Sequence, residues 1–169
     1  KNLILRSRDY SFPVSIKLVI SDQKKALGLL HAKKNSIPYV IIDTNSRNYE
    51  NKIIKDLKKY NIYLICLAGY MKILSKKFLK NFGKKIINIH PSLLPKFKGL
   101  NTFSRIMKNK EKKTGCTVHF VSKKLDGGKI ILKKFFYIKG SDNKKTLKIK
   151  TQKLEHTSYS QAIIQVFNK

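Results

Sequence analysis

Short apolar runs alternate along this chain with longer stretches whose apolar positions recur at helical spacing. Residues 15–21, Ser-Ile-Lys-Leu-Val-Ile-Ser, are rich in β-branched side chains between polar ends and predict a strand. Residues 24–35 place Ala26, Leu27, Leu29, Leu30 and Ala32 three and four apart, as an amphipathic helix does. A second strand over 39–42 precedes a second helix over 49–60, with Ile53, Ile54 and Leu57 turned inward. Residues 63–68 show no polar alternation, the pattern of a strand covered on both faces. A short helix over 75–82 and a strand over 86–90 follow, the strand halted by Pro91. The remainder predicts a helix over 100–108, strands over 116–121 and 130–137, and a last helix from near Asn143 towards Phe167.

Alternation of strands and helices at these lengths predicts an α/β fold, a mostly parallel doubly wound sheet with helices on both faces. We find no internal repeat and no linker, so 169 residues are read as a single domain. The opening segment, Lys1-Asn2-Leu3-Ile4-Leu5, reads as helix and suggests that the chain starts inside an element.

Composition narrows the choices. Cys66 and Cys116 fit no metal or redox spacing, which favours a reducing, cytoplasmic setting, and no apolar run approaches the length of a membrane span. The formal net charge of +29 would attract any polyanion. Only four of the 38 basic residues are arginine, however, and the lysines are scattered rather than gathered into an arm or stripe. We read most of them as a solvated surface, with a favourable field for anionic ligands as the functional remainder and no specific nucleic-acid partner.

No Gly-x-Gly-x-x-Gly follows a strand, Gly83-Lys84 lacks the upstream glycine of a phosphate loop, and the four histidines show no metal-ligand spacing. The segment that breaks the apolar pattern is Asn88-Ile89-His90-Pro91-Ser92-Leu93-Leu94-Pro95. At the period of a strand Asn88 and His90 share a face, at the carboxyl end where parallel sheets bind ligands. An amide donor beside an imidazole suits a carbonyl that becomes an oxyanion, and the same pair would also serve as a satisfied polar cap on a strand end. Asp126, in the turn Leu125-Asp126-Gly127-Gly128, would support the first reading if it folded back to His90, which spacing leaves open. Gln152 and Glu155 lie one turn apart on one helix face, where ordinary helix surface is the plainer reading.

Together these blocks, with Leu67-Ala68-Gly69-Tyr70-Met71-Lys72-Ile73-Leu74-Ser75, Thr117-Val118-His119-Phe120-Val121 and Glu155-His156, resemble the phosphoribosylglycinamide formyltransferase family from about Ser15 to the C-terminus. The resemblance implies transfer of a formyl group from 10-formyltetrahydrofolate to the amine of glycinamide ribonucleotide in purine biosynthesis, with no metal. It implies Asn88, His90 and Asp126 as the catalytic set. It assigns the folate pocket to Met71, Lys72, Ile73 and Leu74 and to Ser122, Lys123, Lys124, Leu125 and Asp126, with Asn88 at its edge. Arg47 falls within one residue of a folate-binding arginine. Gly69, Pro91, Gln152 and Glu155 match positions that contact glycinamide ribonucleotide. A monomer or homodimer is implied.

The family opens with a strand and a Gly-Ser-Asn phosphate loop that precede the point matched by Lys1, so the numbered chain is expected to be N-terminally incomplete. Lys72, Lys98, Asn101 and Phe103 also depart from common family residues and are expected to tune the pocket. The rival readings are a methionyl-tRNA formyltransferase, a formyltetrahydrofolate deformylase, a folate-binding remnant, or a nucleic-acid-binding module.

Overall fold

A computed structural model describes residues 1–168 and divides them into two compact units. The first comprises residues 1–63 and 74–84, the second 64–73 and 85–168.

In the first unit the opening segment is helical, α1 (Asn2–Arg6), as its pattern suggests. β1 (Val19–Ser21) pairs in parallel with β2 (Tyr39–Ile41) through the crossover helix α2 (Leu27–Lys34). Both strands are shorter than their apolar runs. Helix α2 starts later than its stripe because 21–26 are used in turns, with Gln23 N–H donating to Ser21 Oγ and Ala26 N–H to Gln23 O. It buries Leu29 and Ala32 but leaves Leu27 and Leu30 exposed. Helix α3 (Tyr49–Lys59) buries Ile53, Ile54 and Leu57. Helix α4 (Lys76–Phe82) is capped by Ser75, whose hydroxyl accepts from Phe78 N–H while its own amide donates to Glu50.

The second unit is one four-stranded sheet in the order β3 (Leu64–Leu67), β4 (Lys85–His90), β5 (Lys113–Phe120), β6 (Ile130–Tyr137). β3 and β4 are parallel, whereas β4–β5 and β5–β6 are antiparallel, so the pairing is mixed rather than mostly parallel within this sheet. Chain length explains the second reversal: only residues 121–129 join β5 to β6, too few for the crossover that a parallel return needs. Helix α5 (Thr102–Lys108) lies in the connection from β4 to β5. Helix α6 (Lys144–Phe167) packs on β5 and β6, adding Leu147, Tyr159, Ala162, Ile163 and Val166 to a core that includes Ile86, Ile87, Cys116 and Val118. It begins where the sequence indicates, because Asn143 caps it: the Asn143 side chain accepts from Thr146 N–H, and Thr146 Oγ1 accepts from Asn143 N–H.

Candidate active site

Strand β4 is interior to its sheet, and register sets what its polar residues meet. Asn88 lies opposite Leu67 on β3 and opposite His119 on β5. His90 lies opposite Thr117, whose hydroxyl donates to Ser92 O at 2.7 Å and accepts from Leu94 N–H at 3.1 Å. The segment after the strand is thereby pinned, and His90 itself is only 6% exposed.

Asp126 does fold back. Its Oδ2 lies 3.3 Å from His90 Nδ1 and accepts from Gly99 N–H at 2.8 Å. The turn that carries it is tight, with Asp126 in the left-handed region at φ 44 and Gly127 N–H donating to Lys124 O. Gly128 passes so close to β5 that a Cβ there would sit 1.7 Å from Phe120 O, so only glycine fits. The other His90 nitrogen, Nε2, is 2.8 Å from Phe97 O. A carbonyl oxygen and a carboxylate are both acceptors, so a ring protonated at both nitrogens satisfies both contacts.

The structure adds a fourth member that was not singled out as a site residue. His119, 2% exposed, has Nδ1 2.9 Å from Phe120 O and Nε2 3.4 Å from Asn88 Nδ2. A carbonyl can only accept, so Nδ1 carries the proton and Nε2 is left to accept from the Asn88 amide. Burial pushes the His119 pKa down, against smaller upward contributions from the Phe120 hydrogen bond and Asp126, which keeps this tautomer neutral. At 3.6 Å, Nε2 is beyond hydrogen-bond distance of Asp126 Oδ1. One Asn88 N–H is therefore held and the other is free to be aimed.

The remaining candidates are distributed as follows. Gly69, at φ 71, lies two residues beyond the end of β3, and Pro91 directly follows β4. Gln152 and Glu155 lie on α6, and burial lifts the Glu155 carboxyl to about 7. Met71 and Ile73 are 71% and 70% exposed in the segment after β3, beside Lys72. Ser122, Lys123, Lys124 and Leu125 are exposed in the β5–β6 loop, where the Leu125 side chain reaches towards Gly99. Arg47, in the loop before α3, and Leu74 belong to the first unit. No group of three His, Cys, Asp or Glu residues suited to a metal ion occurs among the described residues. No described helix is long and apolar enough to cross a membrane.

A buried carboxylate against an imidazole, with a fixed amide alongside, is chemistry for polarising a carbonyl group. The family model described as formyl transferase matches residues 1–163. Phosphoribosylglycinamide formyltransferase of Haemophilus influenzae is 40% identical over 153 residues, covering 87% of this chain and 71% of that protein. The chain belongs to the phosphoribosylglycinamide formyltransferase family. The crystal structure of the Bacillus halodurans member superposes with a TM-score of 0.93 at 31% identity, over 99% of this chain and 89% of that one. The trifunctional purine biosynthetic protein adenosine-3 of Gallus gallus is 38% identical over 152 residues, of which this chain spans 15%. Among these relatives the chain thus spans most of the bacterial family members and a small segment of a much longer vertebrate protein.

Proposed function

We propose that this chain transfers the formyl group of 10-formyltetrahydrofolate to the amino group of glycinamide ribonucleotide, in a cytoplasmic setting. The observation that carries the reading is Asp126 folded from its loop onto His90, beside an Asn88 amide already anchored by His119.

The chemistry follows from those groups. The substrate amine attacks the formyl carbon, a C–N bond forms, and the carbonyl electron pair moves onto oxygen. The free Asn88 N–H and an N–H of the His90 ring receive that oxyanion, the substrate oxygen replacing one of the ring's present acceptors. Such donors stabilise charge where it develops and need little reorganisation. The Asp126 carboxylate faces His90 Nδ1 and orients the ring, while Gly99 N–H holds the carboxylate itself. The proton lost by the attacking nitrogen is relayed by His90 to the folate nitrogen as the old C–N bond breaks, giving tetrahydrofolate and the formylated ribonucleotide.

In this reading the second unit holds the folate through Met71, Lys72 and Ile73 and through Ser122, Lys123, Lys124, Leu125 and Asp126. Exposed apolar side chains at Met71, Ile73 and Leu125 suit its ring system. Gly69, Pro91, Gln152 and Glu155 hold the ribonucleotide. A carboxyl that keeps its proton up to about pH 7 can donate as well as accept, which suits an amine or hydroxyl partner. The test is acceptor dependence. Tetrahydrofolate should form from 10-formyltetrahydrofolate only when glycinamide ribonucleotide is present, with equal formation of formylated ribonucleotide. Release of formate without the ribonucleotide would mark a hydrolase and overturn the proposal.

A further inference from the structure

The buried groups that this mechanism leaves unused converge on Tyr159. Its side chain rises from α6 into the core, where its hydroxyl donates to Leu67 O at 2.7 Å and approaches Ile87 O at 3.1 Å. The single hydroxyl proton thus serves two carbonyls on adjacent strands. The Cys66 side chain lies beside the same phenol. Burial pushes both groups up, the thiol to about 12.

The two carbonyls are well placed. Leu67 is the last residue of β3, two before Gly69, and Ile87 directly precedes Asn88. Register sets Leu67 opposite Asn88 itself. On α6, Tyr159 lies four residues after Glu155, on the same helix face. One oxygen therefore joins three elements that carry residues of the proposed ribonucleotide site and of the oxyanion site.

We propose that Tyr159 is a positioning residue whose bridging hydroxyl fixes the end of β3, and hence Gly69, against Asn88 and Glu155. This rests on the functional reading above for its kinetic consequence but not for its structural one. Removing the hydroxyl by Tyr159→Phe takes a side-chain donor away from both carbonyls and frees the ends of β3 and β4 from α6.

Steady-state kinetics on the full chain should show the KM for glycinamide ribonucleotide rising by about tenfold in Tyr159→Phe, with the KM for 10-formyltetrahydrofolate changed less than about twofold. Cys66→Ala removes the thiol but keeps the hydroxyl, and should leave both constants at the wild-type values. A lower melting temperature with unchanged KM, an equal rise for both substrates, or the same rise in Cys66→Ala would overturn the proposal. Amide hydrogen exchange gives a readout independent of turnover: Tyr159→Phe should speed exchange at residues 68–70 and leave β5 unchanged. If wild-type protein does not form product, the functional reading fails, and exchange still decides the clamp. If Tyr159→Phe does not fold, NMR of the wild-type protein decides it. A slowly exchanging Tyr159 hydroxyl proton is expected, and a rapidly exchanging one contradicts the bridge.

Discussion

Two side chains carry information that burial alone would not give. Asn88 and His90 stand out in the sequence because polar residues interrupt an apolar strand at alternate positions. The same signal was present at His119, within the apolar run 116–121, yet nothing in the sequence says which residue it faces. That needed the β4–β5 register, which sets it opposite Asn88. Since His119 fixes the amide, His119→Ala should lower kcat, though by less than Asn88→Ala, which should cost about 100-fold as the loss of one oxyanion donor. Steady-state kinetics at saturating substrates would check both. A kcat in His119→Ala equal to wild type would remove it from the site. Glu155 gives a pH prediction. In the folded chain its carboxyl holds a proton up to about 7, against an ordinary value of 4.5. Between those values the folded state binds more protons than the unfolded state, so its contribution to stability falls as pH rises. Urea unfolding of the ligand-free protein at pH 4.5 and at pH 7 should therefore show a loss that Glu155→Gln abolishes. Equal pH slopes in the two proteins would place the carboxyl in water.

Among the elements, periodicity located each helix and strand to within a few residues, and cap chemistry located the start of α6 at Asn143. Strand direction was not legible. An apolar run of four to eight residues reads alike in parallel and antiparallel pairs; the short 121–129 connection gives the direction of β6 against β5, and nothing of the kind gives that of β5 against β4. That connection also delivers Asp126, which is why the proximity of Asp126 to His90 escaped any argument from spacing. The loop depends on Gly128, where any side chain would collide with the Phe120 carbonyl. Gly128→Ala should destabilise the protein by about 1–3 kcal/mol in urea unfolding and lower kcat together with it, because relief of the clash must shift Asp126. Full activity in a stable Gly128→Ala protein would show that the turn does not set the carboxylate.

Over the chain as a whole, a net charge of +29 makes the surface strongly attractive to anions, and both proposed substrates are anionic, a phosphate ester and a folate carboxylate. Raising salt from about 0.05 to about 0.5 M should lower kcat/KM for both while leaving kcat nearly unchanged, since screening weakens encounter rather than chemistry. A salt-independent kcat/KM would leave the lysines as background. The account stands on His90 acting with Asn88 and Asp126 on a formyl group. We would measure formation of formylated glycinamide ribonucleotide from 10-formyltetrahydrofolate by the wild-type chain and by His90→Ala. The wild type should turn over, and the variant should retain its fold while kcat falls by about 100-fold or more. Full turnover by His90→Ala would contradict it.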